Sequence, residues 1–349
     1  MKQILTRGKR YTQRVAASTG CYLRGGALLV LLAQASFANA QAPVITSLVP
    51  TRNARSAPRT TNVAVGFSQA LSNNAATQQA LKVYSQQAGG KKAGTATVSG
   101  NTLSFNPSTD FKPGETVFGT VTPTAQSSSG QNLASGHVFE FTTATSPSSG
   151  TLGGGTEVST LDLSTTDVAL GDIDADGDLD MIACYGTSAP APGGVFIWRN
   201  DGTGNFSNRQ VVSVGTNPFA NSLVDVDGDG DLDILTGNTR NNTTASTVSI
   251  RLNNGAGNFS GNQEILVGPF PSGLAVGDLD GDGDPDFATA NNNRTMSVRL
   301  NDGTGTFGGT LEVPVSGTSV RSVAVRDVDN DGDLDLLSAN TNATVGVYL

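Results

Sequence analysis

The sequence predicts an all-β protein, a β-sandwich followed by four β-propeller-type blades. Three observations carry this prediction. Residues 156–349 repeat internally, with a nine-residue aspartate-rich loop starting at Asp172, Asp225, Asp278 and Asp327. The segments flanking each loop are short and apolar, several alternating with polar residues as strands do. The 43 glycines, the many Asn, Ser and Thr residues and an aromatic content of only 6% suit short strands joined by polar turns, not long helices.

Residues 1–40 read as an export signal. Lys2, Arg7, Lys9, Arg10, Arg14 and Arg24 form a basic leader, Ala27 to Ala33 form an apolar run, and Ala38-Asn39-Ala40 offers a cleavage site that leaves Gln41 first. The run is about half the length that spans a bilayer, and no other stretch could cross one. The mature chain is therefore expected to be secreted or at the cell surface. Loss of the leader removes six of 21 basic residues and none of the 30 acids, leaving a net charge of −15. Such a surface repels nucleic acid and attracts cations. Cys21 departs with the leader, and it precedes the apolar run, so it is not a lipidation site. Cys184 then stands alone in Met181-Ile182-Ala183-Cys184 and reads as a buried inert thiol.

Residues 42–145 hold six strand-like segments: Asn62–Phe67, Leu81–Tyr84, Gly94–Ser99, Thr102–Phe105, Val117–Thr122 and Val138–Thr142. Ser146 to Gly155 is a Ser/Pro/Gly linker. Pro43-Val44-Ile45 with Pro50, Val63–Ser68, Gly100–Pro107, Lys112-Pro113-Gly114-Glu115 and Phe139–Thr143 make this section similar to the bacterial Ig-like domains of S-layer and secreted multidomain proteins. That resemblance implies a spacer or weak binding module. The single histidine, His137, beside the last strand, is expected to be packed or solvated and not catalytic.

The repeats follow. Each loop lies between two apolar segments, such as Val168-Ala169-Leu170 before the first and Ile234-Leu235 after the second. A third strand then leads to a turn rich in Asn-Gly and Asp-Gly pairs, Asn200–Phe206, Asn253–Phe259 or Asn301–Phe307, which allow the positive φ of a tight hairpin. A fourth short strand follows, as in Gln210–Val214. Four strands in about 50 residues is one propeller blade. These residues resemble FG-GAP or VCBS repeats, the blade type of integrin α-subunits and many secreted bacterial proteins. Glu157 precedes the first loop by the interval that separates Glu312 from the last. Glu157–Leu163 therefore reads as a spare fourth strand able to complete the last blade. Ring closure stays open at this point.

The loop spacing predicts calcium. Each loop is D-x-D-x-D-G-D-x-D: Asp172, Asp174, Asp176, Asp178, Asp180; Asp225, Asp227, Asp229, Asp231, Asp233; Asp278, Asp280, Asp282, Asp284, Asp286; and Asp327, Asp329, Asp331, Asp333, Asp335. Calcium takes six to eight oxygens in forgiving geometry. Side chains at positions 1, 3, 5 and 9 can converge on one ion, glycine at position 6 permits the bend, and position 7 is expected to offer its carbonyl. Like charges about 4 Å apart repel by roughly 4 kcal/mol per pair at an effective dielectric near 20, so about four Ca²⁺ are expected to bind as part of folding. An EF-hand is excluded, because position 12 is Ala183, Thr236, Thr289 or Ser338 instead of Glu and both flanks read as strands. Magnesium demands stricter octahedral geometry, and redox metals prefer His or Cys.

The resemblance to integrin-type blades implies an adhesion or ligand-binding module for an extracellular protein or glycan. Candidate contacts are Trp198, Phe219, Phe270 and Asn291–Asn293. The alternatives are a structural spacer or matrix component without a discrete ligand and, behind it, a non-catalytic part of a polysaccharide-degrading system. An enzyme is not expected: the chain lacks a second histidine, a G-x-S-x-G element and a reactive cysteine setting.

Overall fold

The computed structural model describes residues 41–349, except 86–89, 147–154, 156, 161–162, 187–192, 240–245, 318 and 342. The predicted export signal and most of the predicted linker lie outside the described residues.

The first domain is a two-sheet sandwich. One sheet holds β1 (Ile45–Val49), β3 (Val63–Phe67), β7 (Thr102–Pro107) and β6 (Gly94–Ser99) in that order. The other runs β2 (Ala54–Ala57), β9 (His137–Thr143), β8 (Thr116–Val121), β4 (Leu81–Ser85) and β5 (Gly90–Lys91). Strand alternation sends Val63, Val65, Phe67, Leu103 and Phe105 inward from the first sheet, and Leu81, Val83, Val117, Val121, Phe139 and Phe141 from the second. Each such side chain contributes about 1.5–3 kcal/mol when fully buried. Phe111 closes the core with an edge contact to Phe141, ring centres 5.6 Å apart. All six predicted strands are present. The sequence reading missed β1, β2 and β5, which are short or half-exposed, and the single helical turn α1 (Ala75–Gln78), capped by the Asn74 side chain.

The second region is a row of antiparallel sheets in which every strand pairs with its neighbour in sequence. Repeat 1 holds β10 (Thr165–Gly171), β11 (Asp180–Tyr185), β12 (Gly194–Asn200) and β13 (Phe206–Ser213). Repeat 2 holds β14 (Pro218–Val224), β15 (Asp233–Asn238), β16 (Ser246–Leu252) and β17 (Ser260–Val267). Repeat 3 holds β18 (Gly273–Gly277), β19 (Asp286–Ala290), β20 (Thr295–Asn301) and β21 (Phe307–Pro314). Repeat 4 has three strands, β22 (Val320–Arg326), β23 (Asp335–Asn340) and β24 (Thr344–Tyr348). Each acidic loop joins the first two strands of its sheet, so the strand flanks that argued against an EF-hand are present.

The cores lie between successive sheets. Ile182, Val195 and Ile197 of repeat 1 meet Leu223 and Ile234 of repeat 2. Leu235, Val248 and Ile250 meet Phe287 of repeat 3, and Met296 and Val298 meet Val323 and Val325 of repeat 4. Among the described residues no core joins repeat 4 to repeat 1, so no closed propeller is present. The spare-strand reading of Glu157–Leu163 is corrected here. Its described residues form no strand, and Val158 packs against Ala183, Phe196 and Trp198 of repeat 1, not against repeat 4. The reason is aromatic: Tyr185 and Phe196 stack at 4.2 Å, and Phe196 lies beside Trp198, giving an apolar surface that the segment covers. Cys184 is fully buried and accepts from Asn221 Nδ2 at 3.2 Å, and burial raises its pKa.

Candidate metal centre

The loops are built by their own backbone. In each, the glycine at position 6 has a positive φ, 101° at Gly177 and Gly230, 92° at Gly283 and 103° at Gly332, which other residues adopt only at a cost. That turn aims the position-6 N–H at the first carboxylate, at 3.1 Å from Gly177 to Asp172 and 3.0 Å from Gly230 to Asp225. The position-7 N–H donates to the position-5 carboxylate in all four loops at 2.9–3.0 Å.

Three carboxylates per loop then converge. Asp172, Asp174 and Asp176 each bring an oxygen within 4.8 Å of the others, as do Asp225, Asp227 and Asp229, and Asp278, Asp280 and Asp282. In the fourth loop the trio is Asp327, Asp329 and Asp335. The ninth-position residues Asp180, Asp233 and Asp286 are fully buried and use both oxygens otherwise. One accepts the position-2 N–H, as from Val226 to Asp233 at 2.9 Å, and the other accepts the N–H of Asn200, Asn253 or Asn301. Each oxygen of Asp233 and Asp286 keeps a second lone pair, whereas Asp180 Oδ2 also accepts from Arg199 Nη1 at 2.7 Å. Position 7 points elsewhere: a side-chain carbon added at Gly202 or Gly255 would lie 2.7 Å from the carboxylate of Asp178 or Asp231.

The donor set fits a hard divalent cation. It consists of oxygens alone, and it includes two buried carboxylate oxygens without a hydrogen-bond partner, Asp172 Oδ1 and Asp174 Oδ1. Desolvation works against the charged forms. Burial pushes Asp233 and Asp286 up to about 8 and Asp278 up to about 6, despite their N–H and O–H donors. It raises Asp172 and Asp225 as well. Carboxylates in this state are satisfied by a proton or by a cation.

The family comparison matches residues 39–143 to the bacterial Ig-like domain, and residues 172–236, 225–289 and 278–338 to the FG-GAP-like repeat. The chain is a bacterial Ig-like domain followed by FG-GAP-like repeats. Each FG-GAP-like match runs from one acidic loop through the next. No curated protein matches the chain. Among solved structures it is similar to the N-terminal part of the bacterial S-layer protein SbsC, at 12% identity and a TM-score of 0.24, covering 65% of this chain and 44% of that one. SbsC domains 1–6 match at 10% identity and 0.24, covering 89% and 59%. Native alpha-2-macroglobulin from Escherichia coli (domains MG0-NIE-MG1) matches at 11% and 0.25, covering 86% and 98%. The chain thus spans about half the length of the SbsC structures, and TM-scores this low define no shared fold.

The Ig-like domain contributes residues that the sequence reading did not place at the loops. Lys112 ion-pairs with Asp172 at 3.8 Å and donates to the Gly177 carbonyl. The Lys91 N–H reaches Asp225 at 3.1 Å, and Thr120 Oγ1 donates to Asp278 at 2.8 Å. Arg52 pairs with Asp327 and contacts His137 Nε2 at 2.7 Å, so His137 is packed as expected. Burial and then Arg52 lower the pKa of His137. Lys82 pairs with Asp284 at 2.7 Å. Between the Ig-like domain and the first strands of the repeats lies a cavity of about 1120 Å³, bordered by Tyr84, Phe118, Leu170 and Leu274.

Of the predicted contact residues, Trp198 and Asn291 are buried, Phe270 is half-buried, and Phe219, Asn292 and Asn293 are exposed. The FG-GAP-like repeats also use Asn253 and Asn301 as inter-repeat tethers. Asn253 Nδ2 donates to the Ile173 carbonyl of the preceding loop at 2.8 Å, and Asn301 Nδ2 to that of Val226 at 2.7 Å. The recurring Asn that opens each third-strand turn was the visible signal, but a turn role accounted for it.

Proposed function

We propose that the chain is a secreted or cell-surface calcium-binding protein whose repeats act as propeller-type blades and present an adhesion surface to an extracellular protein or glycan. The observation that carries the calcium reading is the fourfold convergence of carboxylates in loops of one design, with two buried oxygens left unpartnered. The aspartates at positions 1, 3 and 5 would hold the ion in the first three loops, and Asp327, Asp329 and Asp335 in the fourth. Calcium would supply charge neutralisation, replacing mutual repulsion with attraction to a shared cation. In a chain without a disulfide among its described residues, that cross-linking takes the stabilising role.

The adhesion reading draws on the FG-GAP-like repeats and on the exposed Phe219, Asn292 and Asn293. In this reading the chain acts by binding. Calorimetric titration of residues 41–349 with Ca²⁺ tests the metal claim, with four sites expected. Absence of binding at millimolar calcium would sink it. Glycan-array and protein pull-down screens under saturating calcium test the adhesion claim, and uniform negatives would leave a structural spacer instead.

A further inference from the structure

The first-position aspartate of every loop meets a donor from the Ig-like domain: Lys112 at Asp172, the Lys91 N–H at Asp225, Thr120 at Asp278 and Arg52 at Asp327. Lys82 adds a second contact to the third loop, through the Asp282 carbonyl at 3.2 Å and the Asp284 carboxylate at 2.7 Å. These donors are spread over one sheet and its turns, from β5 through β4 and β8 to the turns before β8 and β2. Their placement is supported from behind. Glu115, 1% exposed, accepts the Lys112 N–H at 2.5 Å and so fixes the turn that carries Lys112.

The sheet face involved is the outer one, which in an antiparallel sandwich normally meets water. Here Thr120 and Val138 are each only 3% exposed, and the Val138 N–H donates to the Gly332 carbonyl of the fourth loop at 2.8 Å. Gly136 packs directly on the Gly281 backbone of the third loop. Three of the five donors, Lys82, Lys112 and Arg52, bring a full positive charge to loops 3, 1 and 4. The second loop receives only a backbone N–H.

We propose that the Ig-like domain is an internal counter-ion for the metal-free loops and competes with calcium, so that calcium loading loosens the domain from the loop face. The proposal rests on the reading that the loops bind calcium. Crowded carboxylates can be neutralised by lysine and arginine or by a divalent cation. A positive side chain held at the loop disfavours the ion that would replace it. Linkage makes the effect reciprocal: whatever calcium takes from docking, docking takes from calcium affinity.

The test uses residues 41–349 throughout, with Ca²⁺ as the only added ligand. Calorimetry reads affinity and small-angle X-ray scattering reads domain separation. Combined Arg52→Gln, Lys82→Gln and Lys112→Gln is expected to tighten calcium at three loops by about 5- to 150-fold, the usual range of coupling between sites. The second loop serves as the internal reference and stays unchanged. Gly136→Leu keeps every charge but drives a side chain into the Gly281 backbone, and it is expected to tighten binding in the same direction. The radius of gyration of the unsubstituted chain is expected to rise on adding calcium, and that of Gly136→Leu to be raised before any is added. Weaker calcium binding in these variants would make the donors supports of the loops and overturn the proposal. Unchanged affinity, or a radius indifferent to calcium, would overturn it as well. A chain that binds no calcium at all fails the underlying reading first, and that outcome is visible in the unsubstituted protein alone.

Discussion

Asp233 and Asp286 are buried beneath two N–H donors each, and desolvation still outweighs those donors, holding both carboxyls near 8. An unfolded aspartate ionises near 3.9. Below about pH 4 both states are protonated and the full contribution of these groups to stability is present. Between about 4 and 8 the folded state keeps protons that the unfolded state has released, so stability falls as pH rises and the contribution is lost above the folded pKa. The melting midpoint of calcium-free protein is therefore expected to drop between pH 5 and pH 8 by at least about 2 °C. Thermal melts in chelator across that range check it, and a midpoint that climbs with pH would contradict it. Calcium affinity is expected to move the other way and strengthen with pH, because cation and proton compete at the first-position Asp278, whose carboxyl burial holds near 6.

Between residues and sheets stand the asparagine tethers. Asn253 is 5% exposed, and its amide satisfies the Ile173 and Leu232 carbonyls at 2.8 and 3.1 Å. Asn253→Ala would leave both carbonyls unpaired and is expected to cost about 1–3 kcal/mol. Asn254→Ala, one residue on and exposed, is expected to stay within about 0.5 kcal/mol. Urea unfolding of the two variants gives the comparison. The sheets differ in a matching way. Val248 and Ile250 of β16 are 0% and 1% exposed under repeat 3, whereas their counterparts Val345 and Val347 of β24 are 70% and 53% exposed. Ile250→Ala should cost about 2–5 kcal/mol and Val347→Ala less than about 1 kcal/mol, measured by the same unfolding curves. The loops, their strand flanks and the repeat spacing were legible in the sequence because period-2 alternation and D-x-D-x-D-G are local signals. Local signals do not say which sheet covers which. That is why Glu157–Leu163 could pass for a strand, when Val158 instead packs on the Phe196–Trp198 surface. It is also why Arg52, Lys82, Lys91, Lys112 and Thr120 went unnoticed at the loops. Each lies tens of residues or more from the aspartate it meets, and nothing in a solvated-looking lysine marks its partner.

For the whole molecule, the question is whether its two regions unfold together. The Ig-like domain has its own core around Phe67, Phe139 and Phe141 and needs no metal to bury it. The repeats bury thinner layers between sheets and carry 20 of the 30 acids of the chain in their four loops. A ligand that binds only the folded state stabilises by about 2.7 kcal/mol per site at 100 times its dissociation constant. Four sites then give on the order of 11 kcal/mol, enough to raise the repeat transition by roughly 20 °C or more. The Ig-like domain gains none of this directly. If calcium also loosens its docking, it loses the support of the loop contacts. Calorimetric melts of residues 41–349 are therefore expected to show a repeat transition that climbs with calcium beside an Ig-like transition that stays put or falls slightly. The metal-free chain should melt more nearly as one unit, because there the lysines and Arg52 bind the two regions together. A single transition moving upward as a whole with calcium would mean that docking and metal binding reinforce each other, and the competitive coupling would be wrong.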